Sequence, residues 1–514
     1  MGNTRLARRI VPTLMLIWLA LGVQAAQAST GWTVASTQNP GSTSNVLYAV
    51  DCTTSSFCVA VGAQSSSGAD QTLVEVSSDG SGSSWSTVTS PDPAGSNVSN
   101  DLYGVSCVSS SFCVGVGSQG SSAGATEPLV LTFNGTQWSN TALSTPPPGS
   151  SAWLNAVSCT SASFCVAVGS TVDSLGNYYT LVYGLNGTTW SVEPSPNPGS
   201  SGFNSLWGIS CVGTSYCMAV GGELTSLAYQ NLALESTDQG ASWSVPANPP
   251  IEAGTSGGTT TNNDLVGVSC LSQATCVVTG FYDNSLNISE PLMETYGGNW
   301  TLSTVTDTGS SSDNYIPWSI GCESPNLCLV IGGYQQGSSQ YGLVEQSTDQ
   351  GSTWDQITTA ANSAPGFLYG VSCVSGGFCV AVGGLGNSTY AQTYATASTC
   401  NTSSGNLSNQ DLSGCNLTSS NLQGKNLKGG NLSSTNLSGS SLQGSNLMNA
   451  DLSGANLSGA NLSGTNLKGV NFTNAILDGA SLSGANLNGA IWSNTICPDG
   501  TNSNSDGGTC VNNL

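Results

Sequence analysis

The sequence predicts an all-β protein built from two successive repeat architectures, a seven-bladed β-propeller and then a slender solenoid of five-residue units. Three observations carry this reading. A sixteen-residue phrase containing two cysteines recurs seven times between residues 47 and 383, its first cysteines spaced 51 to 59 residues apart. From Asn406 a period of five takes over and holds through Trp492. Finally, only 7% of the 514 residues are charged and none is histidine, a composition unlike that of an ordinary globular enzyme.

At the N-terminus, residues 1–28 have a basic head (Arg5, Arg8, Arg9), an apolar stretch from Ile10 to Val23 and Ala26-Gln27-Ala28 before Ser29. This is the pattern of a secretory signal peptide, too short for a comfortable membrane span. The expected localisation is therefore secreted, extracellular or at the cell surface, without membrane insertion after processing. The 18 cysteines are an even number, and in an exported chain they read as disulfides rather than metal ligands. Between residues 10 and 424 there is no Lys, Arg or His. That span offers no phosphate clamp, imidazole base or imidazole ligand, which excludes nucleic-acid binding and any Ser-His-Asp or Cys-His catalysis. No metal and no cofactor is expected.

Residues 29–399 form the propeller. Each copy of the phrase, such as LYAVDCTTSSFCVAVG at 47–62, reads as two strands joined by a short hairpin, followed by an LVEV-like third strand and a Trp-led fourth. A period near fifty with short alternating strands is the mark of a propeller blade. The seventh copy lacks its fourth strand, and Gly-Trp-Thr-Val at 31–34 supplies one, so the N-terminal strand is expected to close the ring and remove both open edges. The Cys-x5-Cys spacing places each pair across the first hairpin. It predicts Cys52-Cys58, Cys107-Cys113, Cys159-Cys165, Cys211-Cys217, Cys270-Cys276, Cys322-Cys328 and Cys373-Cys379.

A second phrase lies between third and fourth strands, as Ser236-Thr-Asp238-Gln-Gly240-Ala-Ser242-Trp243 and Ser347-Thr-Asp349-Gln-Gly351-Ser-Thr353-Trp354, with a looser copy from Ser77 and Asp79 to Trp85. It resembles the Asp-box of sialidase-like propellers. The resemblance implies a structural turn in which Asp79, Asp238 and Asp349 bond local amides, Gly240 and Gly351 take positive φ, and Trp243 and Trp354 pack between blades. It implies no activity. Sialidases hold a carboxylate with an arginine triad, and no arginine follows position 9 here.

Both hairpins emerge on one face of the disc, leaving the opposite face to loops of unequal length, where binding concentrates on repeat scaffolds. Four residues before the first cysteine the copies carry Tyr48, Tyr103, Asn155, Trp207, Val266, Trp318 and Tyr369. The five aromatics are candidate ligand-binding residues at the start of the innermost strand, set to stack on sugar rings; blade-to-blade packing is the competing explanation. Acids are scarce as catalysts. Glu75, Glu294 and Glu345 recur on third strands and are expected to be solvated or cross-strand residues, while Asp51, where other copies have Ser or Gly, is expected to be ordinary drift. No catalytic residue is assigned.

The C-terminal repeat reads Asn-Leu-x-x-x, with Leu, Phe or Trp at every fifth position from 407 to 492 and small residues such as Ala450, Ala455 and Ala460 two positions before. It resembles the pentapeptide repeat proteins. The resemblance implies a right-handed quadrilateral β-helix over 400–496, with Leu inside, a small residue beside it and Gly or Ser at the corners. Cys400-Cys415 and Cys497-Cys510 bracket the two ends and are expected to be cap disulfides, the second tying down the tail 497–514. Asn502-x-Asn504-x-Asp506 is expected to be a polar cap turn rather than a calcium loop.

The function these features suggest is a secreted, non-catalytic bacterial surface or extracellular-matrix protein. Its propeller would be a recognition platform, its partner an extracellular neutral glycan or surface protein, and its β-helix a rod or association module. The alternatives are a carbohydrate-active enzyme using a carboxylate pair, and a purely structural protein without ligand.

Overall fold

The computed structural model describes residues 32–395 and 402–511, apart from 66–67, 80–81, 122–123, 144–150, 200–201, 214, 226–227, 248–249, 251–261, 274, 285, 287, 306–313, 325–326, 337–338, 358–365, 375–376, 403, 411, 413–414, 416, 418–419, 434 and 506. The signal-peptide segment lies outside these residues, as does Cys400.

Seven antiparallel sheets form the first domain, and their inner strands pack side by side in a closed ring. Blade 1 shows the plan, with an inner strand Ser44–Thr54, a second strand Phe57–Ser65, a third Asp70–Ser77 and an outer pair Ser86–Thr87. Second strands are buried along nearly their whole length because neighbouring blades cover both their faces, which explains the unbroken apolar runs such as Cys58 to Val61. The outer position is less regular than the sequence predicts. Blade 4 has three strands and only an isolated Glu235–Ser244 bridge beyond them, whereas blade 6 gains a fifth strand, Thr304–Val305, pairing parallel to Thr353–Gln356. The seventh sheet is closed by Trp32–Val34, which pairs Trp32 with Tyr394 and Val34 with Gln392. Trp32 is buried, with its ring 5.1 Å from that of Tyr394.

Each blade carries its own disulfide across the first hairpin, with Cα atoms 3.9 to 4.0 Å apart: Cys52–Cys58, Cys107–Cys113, Cys159–Cys165, Cys211–Cys217, Cys270–Cys276, Cys322–Cys328 and Cys373–Cys379. The glycine ending each phrase answers to the strand beside it. At Gly62 an added Cβ would collide with the carbonyl oxygen of Val46, and Gly117, Gly169 and Gly221 face the matching carbonyl in their blades. Only a residue without a side chain lets the inner strand come that close.

The turns before the outer strands follow one hydrogen-bond scheme. Asp238 accepts from the amide and hydroxyl of Ser242, Ser236 Oγ accepts from the Gly240 amide, and Trp243 Nε1 donates to Gly240 O at 2.9 Å. Asp349, Ser347, Gly351 and Trp354 repeat it, and Asp79 with Trp85 does so around one extra residue. Gln239 and Gln350 share the left-handed backbone with the glycines that follow them, a strain the sequence does not advertise. Trp85 packs with blade 7, Trp243 with blade 3 and Trp354 with blade 5.

The C-terminal repeat forms a coil of 20 residues, seen in parallel bridges such as Asn426–Asn446, Asn446–Asn466 and Asp451–Asn471. Four units therefore make one turn. Every fifth residue from Leu407 to Leu482 points inward and is buried, and the larger Phe472 and Trp492 stack one coil apart with centroids 4.7 Å from each other. At several polar small positions the hydroxyl finds a backbone carbonyl, Thr435 donating to Leu412 O and Thr495 to Phe472 O, whereas the buried Ser440 hydroxyl has none. Among the described residues the corners use Gly or Asn at positive φ, as at Gly454, Gly459, Asn449 and Asn474; the corner serines Ser419 and Ser434 lie outside the described residues. At the end, Cys497–Cys510 and a 3-10 turn at Ser503–Ser505 close the coil, and Asn502 Oδ1 accepts from the Asn504 amide. Cys415 is disulfide-bonded; its expected partner Cys400 lies outside the described residues. Among the described residues, no helix is long and apolar enough to cross a membrane.

Candidate functional site

The inner strands share a local irregularity that the repeat phrase hides. In all seven blades the pairing of first and second strands skips one residue: Tyr48, Tyr103, Asn155, Trp207, Val266, Trp318 and Tyr369. Each is a β-bulge, and a bulge re-aims its side chain out of the pleat. The position therefore lies within the inner strand, four residues into Ser44–Thr54, not at its start as the sequence suggests.

All seven bulge residues line a central cavity of about 330 Å³. The aromatic rings meet edge to face around it. Tyr48 is 5.7 Å from Tyr103 and 5.6 Å from Tyr369, and Trp318 is 6.0 Å from Tyr369, so an unbroken arc spans four consecutive blades. Trp207 faces this arc from blade 4, and Asn155 turns its amide to donate to Leu206 O. All five aromatics are half-buried. Burial, together with Asp101 nearby, pushes the Tyr48 hydroxyl far above the usual phenol range, and burial pushes Tyr369 up to about 12. These phenols stay neutral donors at any physiological pH. The rings thus both pack on one another and border the cavity.

Three residues on from the bulge, a second ring follows at the axis. The residue before each first cysteine accepts a hydrogen bond from the amide of the next blade's first cysteine. Ser106 serves Cys159, Ser158 serves Cys211, Ser210 serves Cys270 and Ser269 serves Cys322, while Ser372 closes the circle onto Cys52. Asp51 takes the same role toward Cys107 at 2.7 Å and accepts the Ser372 hydroxyl at 3.2 Å. Asp51 is therefore not drift but a member of an inter-blade relay, and burial pushes its carboxyl up to about 6. Gly321 alone brings no side chain to the relay.

The three repeated glutamates follow the cross-strand alternative, paired with Thr87, Leu302 and Gln356 of the outer strands. Glu75, Glu294 and Glu345 are fully buried, not solvated. With Gln392 they occupy one equivalent place on the third strands of four consecutive blades, 5, 6, 7 and 1. Glu75 accepts from the Gln38 amide in the segment that follows the closing strand, and desolvation pushes it up to about 7. None of the three borders the cavity, where Asp51 is the one acid among the lining residues.

The loop-rich face is more constrained than loop length implies. Ser90-Pro-Asp92-Pro folds back so that Asp92 accepts from the Thr72 amide; Ser195-Pro-Asn197-Pro does the same for Thr180, and Asn39-Pro40 for Thr389. The tyrosines at 178, 179, 229, 282, 334, 341 and 390 belong to the ends of second and third strands. Tyr315, Tyr334 and Tyr341 stack, and Trp153, Tyr178, Phe203 and Tyr229 form a ladder with centroids 6.0, 5.0 and 5.2 Å apart.

Comparison with known proteins divides along the same line as the fold. The pentapeptide-repeat family model matches eight copies between residues 406 and 494. Among solved structures, the chain is similar to the pentapeptide repeat protein Rfr23 of the cyanobacterium Cyanothece, with 41% identity, a TM-score of 0.17, and coverage of 16% of this chain and 58% of that one. It is also similar to a pentapeptide repeat protein of the Arabidopsis thaliana thylakoid lumen, with 35% identity, a TM-score of 0.11, and coverage of 18% and 68%. The chain spans little more than half of the first of these. A protein of unknown function from Dyadobacter fermentans is similar at 10% identity and a TM-score of 0.40, covering 71% of this chain and 98% of that one. No curated protein matches. Through residues 406–494 the chain belongs to the pentapeptide repeat proteins, here joined to a seven-bladed β-propeller.

Proposed function

We propose that the protein is a secreted, non-catalytic recognition protein whose propeller binds neutral glycan at the aromatic collar of the central cavity, with the β-helix as a rod. The observation that carries this reading is that seven bulges aim five aromatic rings at one cavity in a domain with no cationic side chain. Aromatic faces and neutral hydroxyl donors suit uncharged sugar rings, whereas acidic polymers would meet only repulsion. The collar holds no carboxylate pair, which favours binding over hydrolysis, since a glycosidase needs two acids about the scissile bond. The disulfide in every blade suits an oxidising compartment.

Incubating the full chain with insoluble cellulose and chitin tests this. Wild type is expected in the pellet without releasing reducing sugar. Trp207→Ala combined with Trp318→Ala, still folded by circular dichroism, is expected in the supernatant. Equal retention of the variant, or sugar release by wild type, would overturn the proposal.

A further inference from the structure

The ring of hydrogen bonds at the axis is made at six blade junctions and lapses at the seventh, between blades 6 and 7. There Gly321 stands where five blades have Ser and one has Asp. Among the described residues no side chain answers the Cys373 amide. The missing side chain leaves room. At this junction the central cavity reaches the first cysteines Cys322 and Cys373, whereas no other cysteine of the ring borders it.

The wall of this gap is polar backbone. Val371 and Cys373 alternate along the inner strand Phe367–Val374, and the Val371 amide crosses to blade 6, donating to Ser319 Oγ at 3.4 Å. A Cβ at position 321 would stand 3.5 Å from the Cys373 nitrogen and 3.3 Å from Val371 O, so one donor and one acceptor flank the same small space. A hydroxyl both accepts and donates through a single oxygen, and it suits this pair. A carboxylate or phosphate does not, since it would set its charge against Val371 O and near Asp51, which accepts the neighbouring Ser372 hydroxyl at 3.2 Å.

The gap lies deeper than the collar. Gly321 follows Trp318 by three residues, about 10 Å of extended strand. Both border one cavity of about 330 Å³, at the lower end of the range for small-ligand sites. That volume suits the end of a sugar chain rather than a length of its interior.

Resting on the collar reading above, we propose that the gap at Gly321 is a hydroxyl subsite for the terminal ring of a neutral glycan chain. The chain enters end-first, and the collar stacks on the ring behind the terminal one. A hydroxyl of the terminal ring accepts from the Cys373 amide and donates to Val371 O. It takes the place of the side chain absent at position 321, so that ligand and protein complete the relay together.

Titration calorimetry of the full chain with cellobiose, cellotriose and cellopentaose, and with the matching chitin oligomers, tests this. Affinity per mole is expected to level off by the trisaccharide, because only the chain end is held. Gly321→Ala puts a methyl group in the gap, and Gly321→Ser puts there an acceptor of the protein's own. Each variant, with the circular dichroism and cooperative melt of the wild type, is expected to bind at least tenfold more weakly. The serine variant separates lost binding from lost stability, since it is expected to melt no lower than wild type. Undiminished binding by either folded variant, with wild type binding and the Trp207→Ala, Trp318→Ala variant not, would mean that water alone fills the gap; the subsite falls and the collar stands. Affinity that climbs steadily with chain length would overturn end-first entry. No binding by wild type would overturn the collar and the subsite with it.

Discussion

At the scale of the residue, the least expected feature is the number of polar side chains buried by repetition. Glu75 is enclosed between blades 1 and 7, where it accepts from the Gln38 amide at 3.2 Å and from the Thr389 side chain. Desolvation raises its folded pKa to about 7, above its ordinary value of 4.5. As pH rises from about 4.5 to about 7, the unfolded chain releases this proton while the folded chain retains it, so stability falls across that window and is greatest below it. The loss attributable to Glu75 is on the order of 3 kcal/mol. Blade 7 has Gln392 in the equivalent place, a neutral side chain of the same shape. Glu75→Gln is therefore expected to narrow the drop in melting temperature between pH 5 and pH 8, measured by calorimetry; an undiminished drop would refute this account. Asp51, raised to about 6, acts in the same sense and sets the remaining slope together with the other buried acids.

At the scale of the element, six of the seven blade junctions carry one hydrogen bond at the axis from a first-cysteine amide to a side chain of the preceding blade. The relay lapses at Gly321, where an added Cβ would stand 3.5 Å from the amide nitrogen of Cys373 and 3.3 Å from Val371 O. Serine fits that gap with a shift of a few tenths of an ångström and brings the missing acceptor. Gly321→Ser is expected to stabilise the propeller by about 1 kcal/mol, the net worth of one buried hydrogen bond, read as a rise in urea midpoint at constant slope. A fall in midpoint would mean that the glycine is there for its backbone instead. The β-helix solves the corresponding problem differently. Its threonines at the small inner position, Thr435, Thr465 and Thr495, bond backward to carbonyls of the preceding coil, and the Asn ladder 406, 426, 446, 466 and 486 passes one side-chain amide to the next along one face.

At the scale of the whole molecule, the propeller is sealed by three residues separated from their partners by the length of the domain. Trp32 is 2% exposed and packs in a cluster with Leu329, Val344 and Ala381 of blades 6 and 7, so the closing strand secures two blades at once. Trp32→Ala removes a buried aromatic and is expected to cost about 3 to 5 kcal/mol. Limited proteolysis should then cut blade 7 first, leaving the β-helix intact; even digestion across the propeller, or none, would contradict the closure as described. Entropy gives the reason for this sensitivity. Closing a loop of this length costs entropy once, and the closing strand shares the seam with the packing of blade 1 on blade 7, where Trp85 meets Phe378 and Val380 and the Cys52 amide donates to Ser372.

Much of this could be read from the chain itself because repetition exposes the physics. A period near fifty set the blade, paired cysteines at fixed spacing set the hairpin, a spare Trp-led strand at 31–34 set the closure, and Leu at every fifth position set the coil. Local periodicity and short loops decide such features, and they are present in the one-dimensional pattern. What only the tertiary structure decided is where equivalent positions face. Tyr48 and its counterparts reach the cavity because a bulge turns them there, Asp51 matters because the next blade's amide is beside it, and Glu75 is buried because an adjacent blade covers it. These facts depend on contacts between blades some fifty residues or more apart, and burial and hydrogen bonding across that distance leave no periodic trace in the sequence.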